Sequence, residues 1–173
     1  VYTAKAPAGV GEEKHDASAV AMVALLRYGL GMPFYRVEAL QESAGIPLPA
    51  STQWDLVAEA AHALAPVHDA LQALAARGEV LHNDDTSMTV LSVLKEGRDE
   101  EGRRGVFTTA VLSRVDGRTV ALYATGRQHA GENLGDLLAL RPPGLGPPIQ
   151  MCDALERNLP DGLATIVSNC LVH

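Results

Sequence analysis

The sequence predicts an α/β fold, a helical amino-terminal region followed by a mixed sheet of three antiparallel strands, a crossover helix and two further strands. Three observations predict it. Up to Gly78, apolar residues recur at three- and four-residue steps, the period of helices with one apolar stripe. From Glu79 onward, short runs rich in Val, Leu and Thr alternate with turn residues, as strands do. At about His129 one helical pattern returns between strand patterns, and a helix in that place implies a parallel partner strand. The expected organisation is a tail over 1–15, a helical region over 16–78 and a sheet core over 79–173.

Composition supports a packed chain and limits what it does. Of 173 residues, 47% are hydrophobic, enough for a core, and the net charge of -7 argues against broad, charge-driven nucleic-acid binding by this chain alone. Cys152 and Cys170 make no disulfide framework in a chain of this length, no signal peptide precedes them, and a reducing cytoplasm is the expected location. The longest apolar run, Ala19 to Leu26, falls far short of the roughly 20 residues that cross a bilayer. With Val at the first position and an apolar strand pattern running up to His173, both ends look cut, and a fragment is expected.

The helical region reads as three helices. Residues 1–11 mix Ala, Pro and Gly without a period. Asp16 and Ser18 can cap a first helix carrying Val20, Val23, Ala24 and Leu26, stopped by Gly29 and Gly31. Pro33, at a first helical position, opens a second helix through Phe34, Val37 and Leu40 that ends at Gly45. The pair has the outline of a helix-turn-helix, but Arg27 and Arg36 are its only strong bases, fewer than a groove-reading helix usually carries. Ser51 caps the longest pattern, in which Leu56, Ala60, Leu64, Val67, Leu71 and Leu74 form one stripe expected to be core, with Trp54. Pro66 should kink or split that helix, and Gly78 should end it. His62 and His68 lie six apart and share no helical face for a metal.

The sheet begins with Glu79 to Leu91, an apolar run interrupted by Asp84-Asp85 and expected to continue through Leu94. A carboxylate in a strand must be hydrogen-bonded, solvated or bound to a cation, and Asn-Asp-Asp also suits a bulge or turn. Lys95 to Arg104 reads as a solvated loop, Phe107 to Leu112 as a second strand, and Asp116-Gly117 as the turn into a third strand over Thr119 to Ala124. Leu134, Leu137 and Leu138 give the crossover helix its apolar face, from about His129 to Leu140. After a Pro- and Gly-rich loop come a strand at Ile149 to Cys152, a short helical turn from Ala154 to about Arg157, and a fifth strand from Ala164 to Val167. This order is the pattern of the ribonuclease H-like fold, in which the fourth strand can lie beside the first and their acids meet.

Asp84 and Asp153 are therefore the candidate catalytic and metal-binding pair, because two-metal phosphoryl transfer needs converging carboxylates and hard Mg²⁺ prefers oxygen. For Asp153 a second reading stands beside it, since Asp153-x-x-Glu156 has the spacing of a capping box. Cys170-x-x-His173 offers half a zinc site with no second pair, and Cys152 reads as a buried strand residue rather than a nucleophile. Gly144-x-Gly146 lacks the strand and helix that would make it a nucleotide loop.

Several blocks in order carry a family resemblance. They are Tyr28-Gly29 with Gly31-Met32-Pro33-Phe34-Tyr35-Arg36, Ile46-Pro47-Leu48-Pro49 with Thr52-Gln53-Trp54, and His82-Asn83-Asp84-Asp85-Thr86. Arg127 to Leu134, Met151-Cys152-Asp153-Ala154-Leu155 and Cys170-x-x-His173 follow. Over about residues 16–173 the chain resembles bacterial insertion-sequence transposases of the sixty-six type, with a DDE catalytic domain. The resemblance implies metal-dependent DNA cleavage and strand transfer at transposon ends, with Asp84 as first carboxylate, Asp153 as second and Mg²⁺ or Mn²⁺ as cofactor. Asp85 stands where the family often has Glu. The resemblance also implies that the third acid, a glutamate, and the amino-terminal DNA-binding region lie outside this chain. Transposon-end DNA is then a partner of the full-length parent, weak or absent for this acidic piece. The alternative is a catalytically inactive remnant that acts as a protein-interaction module, through self-association or a transposase partner.

Overall fold

The computed structural model describes residues 14–90, 105–153 and 155–170, with Gly9, Val93, Lys95, Gly97, Gly102 and Arg103. Most of the expected tail and charged loop, the run at Leu91 to Leu94 apart from Val93, the start of the turn at Ala154, and His173 lie outside the described residues. The chain forms two compact units, Val1–Pro66 and Val67–His173.

In the first unit, α1 (Ala17–Ala24) starts at Asp16, whose Oδ1 accepts the Ala19 N–H at 3.0 Å and the Ser18 hydroxyl at 2.7 Å. A π-helical turn, Leu25–Gly29, continues it, which the spacing did not suggest. α2 (Phe34–Ser43) begins one residue after Pro33, whose ψ of 146° is extended, so the proline is the cap rather than the first helical residue. Val23, Leu48 and Val57 form this unit's core, with Phe34 and Leu56 against it. The buried Gln53 donates its side-chain amide to the Leu48 carbonyl at 2.8 Å, holding the turn into the next helix.

That helix, α3 (Ala50–Ala75), runs unbroken through Pro66 and starts one residue before the expected cap. Its stripe is not the core that its period promised. Val57 and Ala75 are buried near its two ends, but Leu64, Val67 and Leu71 are 61%, 56% and 39% exposed. Trp54, also expected inside, is 57% exposed, with its ring edge-on to Phe34. Period identifies which residues share a helical face, and only a packing partner buries that face.

The second unit is built on a five-stranded mixed sheet in the order β3-β2-β1-β4-β5, the layout expected from the sequence. β1 (Val80–Met88), β2 (Val106–Val115) and β3 (Arg118–Gly126) are antiparallel neighbours. Asp116 and Gly117 close the second hairpin with φ of 49° and 72°, the left-handed pair that a two-residue turn of this hand requires. α4 (Ala130–Ala139) crosses to β4 (Ile149–Cys152), parallel to β1, and β5 (Ile166–Asn169) lies parallel beyond it, two residues later than the sequence suggested.

The expected interruption of β1 does not occur. Asp84 pairs with Ala110 and Asp85 with Thr109 in an unbroken ladder, because both carboxylates have somewhere to go on opposite faces. One face is covered. Leu81, Val111, Val115 and Val120 pack there against Leu134, Leu137 and Leu138 of α4 and the buried Ala75 and Ala76.

A 3₁₀ turn, Glu156–Asn158, follows β4 and packs against α4 at Gly131. A Cβ at Gly131 would overlap the Leu159 carbonyl oxygen and approach the Arg157 carbonyl to 2.8 Å. Gly131→Ala should gain about 1 kcal/mol of helix propensity and lose about 1–3 kcal/mol to overpacking against backbone that cannot step aside. We expect net destabilisation, seen as a lower urea midpoint at unchanged slope; a midpoint at or above wild type contradicts this packing.

Candidate active site

The parallel pairing of β1 with β4 positions both candidate acids. Val80, Leu81 and His82 pair with Ile149, Gln150 and Met151, and two steps further along the same register stand Asp84 and Asp153. Both line one cavity of about 200 Å³, together with His82, Met151 and Cys170. Strand alternation puts Asp84 on the face opposite α4, where it is exposed; its Oδ1 accepts the Asp85 backbone N–H at 2.8 Å and leaves the other oxygen to solvent.

Asp153, just past the end of β4, is more constrained. Its Oδ1 accepts the Asn158 side-chain amide and, at 3.4 Å, the Leu155 N–H. The capping-box alternative is not what forms, since the 3₁₀ turn starts after Leu155, with no side-chain cap. Beside the pair, burial raises the Cys152 thiol above its ordinary pKa, and the charges of Asp153 and Asp84 push the same way, outweighing a hydrogen bond from Gln150. A thiol kept protonated is a poor nucleophile, in keeping with its reading as a strand residue.

Asp85 does different work, which the sequence did not reveal. Its side chain is 2% exposed; Oδ1 accepts the Thr109 hydroxyl at 2.7 Å and Oδ2 accepts the Ala130 N–H at 3.0 Å, with His129 Nδ1 at 3.1 Å. The carboxylate therefore sits at the amino end of α4, where free N–H groups and the helix dipole favour negative charge. Asn133 supports it by donating to Thr109 Oγ1 at 2.8 Å, and the Phe107 ring lies 4.3 Å from that of His129. Glu132 completes the cap, accepting from the His129 N–H at 2.8 Å and from Arg103 at 2.7 Å. Burial raises the Glu132 pKa, but these two donors prevail and hold it below the usual carboxylate value. The available signal was alternation: two adjacent strand residues cannot face one site, so one of the two aspartates had to point into the fold.

Two carboxylates from neighbouring strands offer hard oxygen donors to one space. Among the described residues no group of three or more His, Cys, Asp or Glu is placed to hold a metal ion.

The two adjacent aspartates should separate cleanly on substitution. Asp85→Ala strands the Thr109 hydroxyl and the Ala130 N–H and should cost about 2–4 kcal/mol. Asp84→Ala removes an exposed group and should change stability by no more than about 0.5 kcal/mol. Urea unfolding of both variants checks this, and equal losses would contradict the assignment of faces.

A comparison with known proteins now bears on this geometry. No curated protein and no solved structure matches the chain significantly. The family described as Transposase IS66 family does match, over residues 14–156, a span that takes in α1 to α3, the whole of β1 to β4 and both aspartates of the cavity. The chain belongs to the IS66 transposase family.

Proposed function

We propose that Asp84 and Asp153 are the first two carboxylates of a metal-dependent phosphoryl-transfer site, and that the sheet carrying them is a ribonuclease H-like core. One observation carries this reading: both acids line a single cavity at the carboxyl end of the β1–β4 ladder, the end of an open α/β sheet where ligands characteristically bind. The reaction would be cleavage and joining of DNA strands at transposon ends, performed by a full-length transposase.

The donor set fits Mg²⁺ or Mn²⁺, because both groups are carboxylates and neither needs a softer partner. Such an ion, held by Asp84 and Asp153, would supply the Lewis acidity that activates a water or a 3′ hydroxyl and steadies the leaving oxygen. The chain's own contribution is positional. β1 and β4 fix the two carboxylates relative to each other, and the hydrogen bonds to Asp84 Oδ1 and Asp153 Oδ1 orient each group while leaving an oxygen available. At a net charge of -7 the chain draws little on phosphate attraction, so DNA affinity would come from the rest of a transposase.

A second reading, an inactive interaction module that binds a transposase, draws on the same open face. There Tyr123, Ile166, Ile149 and Leu112 are 68%, 55%, 40% and 39% exposed, an apolar surface fit for a protein partner.

Calorimetric titration with Mn²⁺ distinguishes the two, run beside an Asp84→Asn, Asp153→Asn double variant. The catalytic reading predicts binding on the order of 10⁻³ M, weak because the shell is partial, and lost in the variant. A folded wild-type chain that binds no Mn²⁺ would favour the interaction module.

A further inference from the structure

Beneath the cavity, a buried polar network leads to one of the two acids. Thr165 donates its hydroxyl to Gln150 Oε1 at 2.8 Å, which fixes the orientation of the Gln150 amide. Gln150 Nε2 then donates to Asn83 Oδ1 at 2.9 Å and to the Asn158 carbonyl at 2.8 Å, and Asn83 Nδ2 donates to that same carbonyl at 2.8 Å. Gln150, Asn158 and Asn83 are 0%, 1% and 4% exposed, so three amide side chains are kept inside where apolar residues would ordinarily stand.

The Asn158 side chain is the informative member. Its backbone carbonyl already takes two hydrogen bonds, and the turn is closed by the Leu159 N–H on Glu156, so the side chain is not needed to hold the turn. It reaches instead to Asp153, donating Nδ2 to the carboxylate. A carboxylate only accepts, which fixes the amide's orientation and leaves Asn158 Oδ1 buried without a partner among the described residues. The buried oxygen left without a partner is the cost of keeping the amide donor on Asp153.

We propose that Asn158 is a positioning residue for the metal site: its backbone carbonyl is fastened through Gln150 and Asn83 to β4 and β1, and its buried side-chain amide orients the Asp153 carboxylate towards the cavity it shares with Asp84. This rests on the reading of Asp84 and Asp153 as metal ligands. Groups that orient a ligand from behind typically contribute 10- to 100-fold to metal affinity, whereas a structural amide contributes to stability alone.

The test is Mn²⁺ affinity of Asn158→Leu, which keeps the branching of the side chain at Cγ and removes its donor. With a wild-type amide spectrum, the variant should bind Mn²⁺ about tenfold more weakly; wild-type affinity in the folded variant overturns the proposal while leaving the metal site intact. Should Asn158→Leu fail to fold, Mg²⁺ titration of the wild-type chain by NMR decides. The two Asn158 side-chain amide protons should shift with the half-saturation of the site, and protons that do not move overturn the proposal. Wild-type protein that binds no Mn²⁺, or binding that survives in the Asp84→Asn, Asp153→Asn double variant, overturns the metal site and this inference together.

Discussion

The parallel ladder between β1 and β4 is only three residue pairs long, yet the placement of Asp84 and Asp153 at one cavity follows from its register. So short a ladder needs its register set from outside. At one end of the crossover Asp85 holds the start of α4 against β1 and β2, through the Ala130 N–H and the Thr109 hydroxyl. At the other, the Arg141 guanidinium donates to the carbonyls of Ala76 and Gly78 at 2.7 and 2.8 Å and to that of Gly146 at 2.8 and 3.1 Å. This ties the loop that leads into β4 to the residues that lead into β1. The five N–H donors of arginine, held in a fixed planar fork, make four bonds to these three carbonyls, one more than the three N–H groups of a lysine could supply. A slip of one residue in β4 would send Asp153 to the covered face and leave Asp84 without its companion.

The adjacent aspartates show how a strand divides one chemical type between two tasks. Asp84 is exposed and loosely held, as a group that is to meet a cation or solvent must be. Asp85 is buried and takes up backbone and side-chain donors at a helix terminus, where a carboxylate is stabilised without a metal. Below them the amides of Asn83, Gln150 and Asn158 replace hydrophobic packing with directional bonds. Such a network constrains position more tightly than apolar contact does, at some cost in stability.

Much of this was legible in the chain. Period change located the sheet, Asp116-Gly117 gave the hairpin, and the single helix between strand patterns gave the parallel neighbour and so the meeting of residues 84 and 153. What the sequence concealed depends on contacts between distant residues. The stripe of Leu64, Val67 and Leu71 has the period of a buried face and is exposed, because period carries no information about a partner. Asn-Asp-Asp looked like a break in β1, yet the strand runs through it because Thr109 and Ala130 supply donors to Asp85 and the Asn158 carbonyl accepts from Asn83, from residues 24 to 75 positions away. The role of Asn158 was similarly hidden, since nothing local marks an asparagine in a short turn as the partner of an acid.

As proposed, strand register brings Asp84 and Asp153 to one cation site. Crystals of the chain grown in Mn²⁺ and measured for anomalous scattering test it most directly. An anomalous peak is expected in contact with one oxygen of each carboxylate, on the face of the sheet away from α4. A fully occupied Mn²⁺ elsewhere on the sheet, with neither carboxylate in contact with a metal, would contradict it.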